Sequence, residues 1–412
     1  MKIKTDDKKI MRGVECIIEY DSFQKKILSG KKLRVKHGID PTGPKIHLGR
    51  ALQFQKLRLF QELGHKVVLI IGDFTAQIGD ASDKQTIRRS LSEREIKKNM
   101  KDYEKQIGKI LDMKKVELRY NSEWLGKLTA KDLISLSTSF TAQQLIQRRN
   151  FKERWDANKP IGLHELDYPL FQGLDSVAVR ADIELGGSDQ LFNLLAGCKI
   201  QRFFKTNLLF DCLKINKNKD FYKGPIQNII TLKMLSGLDG RKMSTSWENI
   251  ITIIDSPEDM YGKIMSMKDE LIFQYFELCT FLPMKEIKQI EEDLAEQKTN
   301  PRDVKAKLAR EIVIIYHSKK EALSAEKEFE RVFKEKKAPT KIPEIKIKER
   351  KLAILDLLVK TKIASSKSEA KRLILQKGVK IENKIQDNWQ KTVEIKKGMV
   401  IQVGKRRFIK LK

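Results

Sequence analysis

Apolar and polar positions alternate between two rhythms in the first part of the chain. Residues 33–39 (Leu-Arg-Val-Lys-His-Gly-Ile) form a short strand-like run that ends in the turn residues Asp40-Pro41-Thr42-Gly43-Pro44. Over residues 47–63 the apolar Leu48, Leu52, Leu57, Phe60 and Leu63 follow helical spacing, so a helix is predicted to begin beside His47. Gly64 closes it, as glycine does at helix C-termini. Residues 67–71 (Val-Val-Leu-Ile-Ile) are continuously apolar, the mark of a strand buried on both faces. Strand, turn, helix and strand make the opening unit of a doubly wound parallel sheet, whose ligands gather outside the carboxyl ends of the strands.

Further along, residues 92–111 read as a helix and 116–120 as a strand. The stretch from about 121 to 180 is mixed and reads as an insertion within the sheet domain. Beyond residue 246 the texture turns helical, with Ser256 as a cap and Pro257 at a first helical position. The helical part ends near Phe333, and the two prolines and charges of 336–347 predict a linker. In the remainder, residues 351–359 and 366–376 read as helices, and 379–381, 392–395, 399–403 and 407–411 as short strands. These shifts divide the chain into 1–250, 251–335 and 348–412.

Charge adds to this division. The net charge is +28, and residues 346–412 hold 20 Lys and Arg against 6 Asp and Glu, hence +14. So much excess in one compact tail predicts a polyanion-binding module. No run of about eighteen apolar residues occurs, so no membrane span is expected. The opening Met1-Lys2-Ile3-Lys4-Thr5 does not read as a secretory signal. Cys16, Cys198, Cys212 and Cys279 are scattered without a C-x-x-C pair, which predicts reduced thiols in a cytoplasmic protein and no zinc site.

Two short sequences carry candidate chemistry. His47 and Gly49 lie where the first turn gives way to a helix, whose N-terminal amides face anions. His47 can donate a ring hydrogen bond to a phosphate oxygen, and glycine lets a nucleotide approach the backbone. Lys242, Ser244 and Ser246 lie in a second loop flanked by Gly237 and Gly240, suited to closing over phosphates and reopening. Alone, a histidine at a helix start is an ordinary cap, and the second loop is an ordinary polar loop. Together and in this order, 40–50 and 240–246 resemble the HIGH and KMSKS signatures of class I aminoacyl-tRNA synthetases.

Four more segments narrow the resemblance: Lys36-His-Gly-Ile-Asp-Pro-Thr42, Gly72-Asp-Phe-Thr-Ala-Gln-Ile-Gly-Asp80, Tyr168-Pro-Leu-Phe-Gln-Gly-Leu-Asp175 and Gly186-Gly-Ser-Asp-Gln190. They are similar to the bacterial-type tyrosyl-tRNA synthetase family. The tail, with Ser366-Lys-Ser-Glu-Ala-Lys-Arg-Leu-Ile374 before Lys377-Gly-Val379, resembles an S4 RNA-binding fold. The resemblance covers nearly the whole chain. It implies a Rossmann-like α/β catalytic domain, a helical anticodon-arm domain and a small α+β S4-like domain.

It also implies site residues. Asp80, Tyr168 and Gln172 would hold the tyrosine ammonium, Asp175 would accept from the phenol, and Gln190 would face the carboxylate region. Asp40, Thr42, His47, Gly49, Gly187, Asp189, Lys242 and Thr245 would serve ATP, with Ser244 in the catalytic loop. Ser366, Lys367, Lys371, Arg372 and Lys377 would contact RNA. Magnesium would come with ATP, and the family works as a homodimer on tRNA.

Three positions depart from the family pattern. Arg50 occupies the place of the second histidine of HIGH, Thr245 that of the second lysine of KMSKS, and Lys36 that of a tyrosine contacting the substrate hydroxyl. Arg50 returns a positive charge near the one lost at Thr245, and its planar fork suits phosphate oxygens. The expected function is a tyrosine–tRNA ligase of the cytoplasm, organelle use remaining open. The alternatives are a tryptophan-specific relative and a catalytically degenerate, RNA-binding synthetase-like protein.

Overall fold

The computed structural model describes residues 9–80, 91–206, 224–244, 247–333, 342–347, 349–404 and 407–412. They fall into two compact units, Met1–Ser318 and Lys319–Lys412.

The first unit is built on a six-stranded sheet. Its strands are β1 (Val14–Ile18), β2 (Arg34–Ile39), β3 (Lys66–Ile71), β4 (Glu117–Tyr120), β5 (Ile183–Gly187) and β6 (Asn228–Leu232), in the order β1-β6-β5-β2-β3-β4. The pairs β2–β3, β3–β4, β2–β5 and β5–β6 are parallel, and β1 is an antiparallel edge on β6. From β2 the chain builds outward through β3 and β4, then returns to lay β5 and β6 on the other side. The order therefore reverses between β2 and β5, and the carboxyl ends of those two strands flank the crevice where such sheets bind ligands.

The predicted opening unit is present. In β3, Val67, Val68, Leu69 and Ile70 are wholly buried, as a central parallel strand requires. The helix Leu48–Glu62 turns Leu48, Ala51, Phe54, Leu57 and Phe60 inward. It stops before Gly64, whose φ of +90° ends the helical path.

One predicted helix is two. Residues 92–111 hold the helices Glu93–Met100 and Tyr103–Ile107, broken around Asp102. The second is re-aimed by what it carries: Tyr103 Oη donates to the Gly43 carbonyl, Gln106 Nε2 donates to the Pro44 carbonyl, and Ile46 N donates to Gln106 Oε1. These bonds hold the turn after β2, and no periodicity announces them.

The mixed stretch is helical: Ser122–Leu125, Ala130–Ser137, Ala142–Ile146, Arg149–Asp156 and Leu163–Ala178. The last packs along Leu191–Thr206 so closely that a Cβ on Gly173 would lie 2.7 Å from Ile200 Cγ1 and 3.0 Å from the Ala196 carbonyl oxygen. Downstream, Pro257–Met265 starts as expected, with the Ser256 side chain accepting from Asp259 N.

The second unit begins with the helix Lys319–Phe333. A five-stranded sheet follows in the order β10 (Lys384–Gln386), β9 (Val379–Ile381), β12 (Val400–Val403), β13 (Arg407–Leu411) and β7 (Glu344–Ile345). Two predictions change here. Residues 351–353 are the strand β8, paired with β11 (Thr392–Glu394), and only Ile354–Lys360 is helical. The stretch expected as linker contributes β7, which pairs in parallel with β13. The helices Ile354–Lys360 and Lys367–Leu375 bury Leu357, Leu358, Ala370 and Ile374 with Val379 and Ile401.

Candidate active site

A cavity of about 350 Å³ opens at the carboxyl ends of β2 and β5. It gathers nearly every site residue expected in the first unit. The turn after β2 supplies Asp40, Thr42, His47, Gly49 and Arg50. Asp80, Tyr168, Gln172 and Asp175 form another wall, and Gly187, Asp189, Gln190, Lys242 and Ser244 complete it. Thr245 lies outside the described residues.

The cavity is rich in carboxylates. Asp175 accepts from Trp124 Nε1 at 2.8 Å and Asn121 Nδ2 at 3.4 Å. Burial raises its carboxyl to about 7, opposed first by Lys36 and then by these two hydrogen bonds. Tyr168 Oη donates to Asp40 Oδ2 at 2.9 Å, and Thr75 Oγ1 donates to Asp40 Oδ1 at 2.8 Å. Burial, reinforced by Asp40, raises the Tyr168 phenol well above its ordinary value, so it remains a donor. Asp80 accepts from Arg148 Nη2 at 2.8 Å and Gln190 Nε2 at 2.6 Å.

Cationic groups and a histidine line it as well. His47 caps the helix Leu48–Glu62 with an extended backbone. Burial, then Arg50 and Lys242, push its imidazole down to about 3, so the ring is neutral at physiological pH. Its Nδ1 is buried without a hydrogen-bond partner. A Cβ on Gly49 would stand 3.2 Å from that nitrogen, so glycine here makes room first for the ring of His47 itself. Arg50 spreads its guanidinium to Thr42 Oγ1 at 2.7 Å, Tyr103 Oη at 3.2 Å and the Asp40 carbonyl at 3.4 Å. Lys242 Nζ lies 2.9 Å from Asp189 Oδ2.

Backbone stitches the first signature to the segment that follows the second. Leu48 N donates to the Ile251 carbonyl and Ile253 N to the Ile46 carbonyl. Asn249 supports the second loop, its Oδ1 accepting from Ser244 N and its Nδ2 donating to the Lys242 carbonyl.

Lys36 departs from its expected place. It does not line the cavity; its ammonium is wholly buried and paired with Glu184 at 2.7 Å. Sequence reasoning also missed several residues. Trp124, Asn121 and Arg148 lie in the mixed stretch, which offered no period to place them. His37 sits inside the quoted first segment, lines the cavity and bonds the Leu185 carbonyl through Nδ1 at 2.9 Å.

In the second unit, Ser366, Lys367, Lys371, Arg372 and Lys377 are all exposed. Ser366 caps the helix Lys367–Leu375 by accepting from Glu369 N. Lys367 pairs with Asp356 at 2.6 Å, and Lys371 lies 4.0 Å from the centroid of a Trp389 ring. A basic helix beside an aromatic ring offers both charge and a stacking face to a nucleic acid.

A family profile described as class I tRNA synthetases (W and Y) matches residues 28–334. The chain belongs to that family. A second profile, for the C-terminal domain of SYY-like tyrosine–tRNA ligases, matches residues 334–411. The chain is 44% identical over 407 residues to the tyrosine–tRNA ligase of Moorella thermoacetica, covering 98% of this chain and 94% of that protein. It is 43% identical to the tyrosine–tRNA ligase of Thermotoga maritima, covering 98% and 96%. Among solved structures, a C-terminally truncated mitochondrial tyrosyl-tRNA synthetase of Aspergillus nidulans superposes with a TM-score of 0.60. At 22% identity, covering 78% of this chain and 92% of the other, it shows the shared class I fold.

Proposed function

We infer that this chain is a tyrosine–tRNA ligase. It joins L-tyrosine to ATP, giving tyrosyl-adenylate and pyrophosphate, and then passes the tyrosyl group to the 3′ end of tRNA(Tyr). The observation that carries this reading is one cavity lined both by a buried acceptor, Asp175, and by His47, Arg50 and Lys242. Relatives of nearly full length that bear this enzyme's name support it.

The chemistry asks little covalent work of the protein. A tyrosine carboxylate oxygen attacks the α-phosphorus, and the bond to pyrophosphate breaks, so catalysis is alignment and charge neutralisation. In the proposed arrangement Asp80, Tyr168 and Gln172 surround the ammonium, Gln190 stands near the carboxylate, and Asp175 accepts from the phenol. A buried acceptor left unpaired penalises phenylalanine; tyrosyl-tRNA synthetases are the standing example, at about 10⁵-fold.

Neutral His47 donates one hydrogen bond to a phosphate oxygen, while Arg50 and Lys242 face the departing negative charge. Asp40, Thr42, Gly49, Gly187 and Asp189 accommodate the nucleotide, and Ser244 and Thr245 belong to the closing loop. Asp189, which holds Lys242, is suited to a ribose hydroxyl, so ATP binding would release the lysine toward the phosphates. Magnesium would be carried by the ATP phosphates. Among the described residues no three His, Cys, Asp or Glu side chains converge to hold a metal ion, and the cavity's carboxylates can meet an ATP-borne ion singly.

We assign residues 1–250 to catalysis, 251–335 to the anticodon arm and 348–412 to further RNA contact through Ser366, Lys367, Lys371, Arg372 and Lys377. The working form is a cytoplasmic homodimer. ATP–pyrophosphate exchange, run separately with tyrosine, phenylalanine and tryptophan, tests the reading. Exchange with tyrosine alone is expected. Exchange with tryptophan alone, or with none while the folded protein binds tRNA, would overturn it.

A further inference from the structure

An ion pair spans the seam between β2 and β5, one layer behind the cavity. Lys36 and Glu184 are register partners across that seam and are 0% and 1% exposed. An ammonium has three donors. Lys36 commits all three: to Glu184 Oε1 at 2.7 Å, Ser176 Oγ at 2.8 Å and the Gln172 carbonyl at 3.0 Å. No donor remains for a substrate, so Lys36 does not replace a residue that touches one.

Glu184 is as fully used. Its Oε1 also accepts from Gln172 Nε2 at 3.2 Å, and its Oε2 accepts from Ser176 Oγ at 2.8 Å and Gln227 Nε2 at 2.5 Å. An ionised carboxylate only accepts, so it dictates which way the Gln172 amide faces: NH₂ toward Glu184, oxygen left to the cavity that Gln172 lines. A cavity that takes an amine needs that oxygen presented. A buried ion pair contributes little net stability against an apolar pair of similar volume, so folding alone does not account for it.

We propose that Lys36 and Glu184 are a positioning pair that fixes the Gln172 amide, and through it the affinity of the cavity for the amino group of its substrate, without touching that substrate. This rests on the tyrosine-activating reading above. The pair also bears on Asp175. The titratable groups acting on Asp175 are Lys36 from β2, Glu184 from β5 and Tyr168 on its own helix, with Trp124 and Asn121 donating to it. Lys36 is the foremost influence pulling its carboxyl down against burial. Loss of Lys36 therefore moves Asp175 upward and keeps it protonated over more of the neutral range.

The test uses tyrosine-dependent ATP–pyrophosphate exchange on the full chain. Lys36→Met/Glu184→Met removes both charges at similar volume, so neither is left buried alone, and a thermal melt checks folding. The expected result is a KM for tyrosine at least tenfold higher, with kcat and the KM for ATP within about threefold of the parent. In Lys36→Met the acid limb of kcat/KM for tyrosine moves to higher pH. If the double variant does not fold, Lys36→Leu/Glu184→Leu serves, since it too removes the carboxylate that orients the Gln172 amide, and the same rise in KM is expected. A KM for tyrosine within twofold of the parent in a folded variant overturns the proposal. So does a loss confined to kcat, as a smaller active fraction gives. Absence of exchange in the parent overturns the functional reading and this proposal with it, whereas exchange in the parent with an unchanged variant KM overturns this proposal alone.

Discussion

At the scale of single residues, the cavity is governed by groups whose charge burial has altered. His37 is pushed down to about 4 by burial, against the Leu185 carbonyl, which pulls it up. An unfolded chain titrates its histidines near 6.5. Between those values the unfolded state binds the extra proton, so the His37 contribution to stability is lost as pH falls from about 6.5 toward 4. Asp175, raised to about 7, runs the other way, its contribution being lost as pH rises from about 4 toward 7. The two oppose each other, so the histidine must be read by difference. His37→Gln should lose less stability than the parent between pH 7 and pH 5, by up to about 2 kcal/mol in urea melts; an identical loss would show that His37 is not held neutral.

Arg50 serves both the turn and the cavity. Its guanidinium braces the turn through Thr42 and the Asp40 carbonyl and also faces the cavity. Arg50→Ala should slow tyrosyl-adenylate formation at least tenfold, about 1.4 kcal/mol of barrier. A rate within twofold of the parent would remove the argument that Arg50 offsets Thr245.

At the scale of elements, the close approach of the helices Leu163–Ala178 and Leu191–Thr206 sets the wall that carries Tyr168, Gln172 and Asp175. A methyl group at Gly173 would press on Ile200 and the Ala196 backbone. Gly173→Ala should therefore cost about 1–3 kcal/mol, seen as a lower melting temperature; an unchanged melt would mean that the helices separate freely.

This scale also marks what the sequence could and could not disclose. The unit from β2 to β3 was legible because its strands and its helix are contiguous and strongly periodic. So were His47, Arg50 and Lys242, which lie in short contiguous signatures. The break near Asp102 was not legible, because Tyr103 and Gln106 are drawn to carbonyls some sixty positions away in sequence. The burial of Lys36 was not legible either: its partner Glu184 lies across a strand register that exists only once the sheet has formed. Trp124 reaches Asp175 from a short helix, and Arg148 reaches Asp80 from the residue before the helix Arg149–Asp156, where no apolar pattern points to either.

At the scale of the whole molecule, the proposed division of labour between catalysis and RNA contact is electrostatic. The tail from residue 346 carries a net +14, half the excess of the chain. RNA held through phosphates releases counterions in proportion to the contacts made. Replacing Lys367, Lys371 and Arg372 together by alanine should therefore weaken tRNA binding and flatten its salt dependence, while tyrosine-dependent exchange stays within twofold of the parent. Equal loss of exchange would mean that the substitutions disturb the catalytic unit instead.

Direct charging of tRNA tests the central claim most fully. The whole chain, ATP, a tRNA(Tyr) transcript and labelled tyrosine or phenylalanine are incubated together, and label on the tRNA 3′ end is counted. ATP-dependent tyrosyl-tRNA and no detectable phenylalanyl-tRNA are expected. Folded protein that binds the transcript but leaves it uncharged with tyrosine would contradict it.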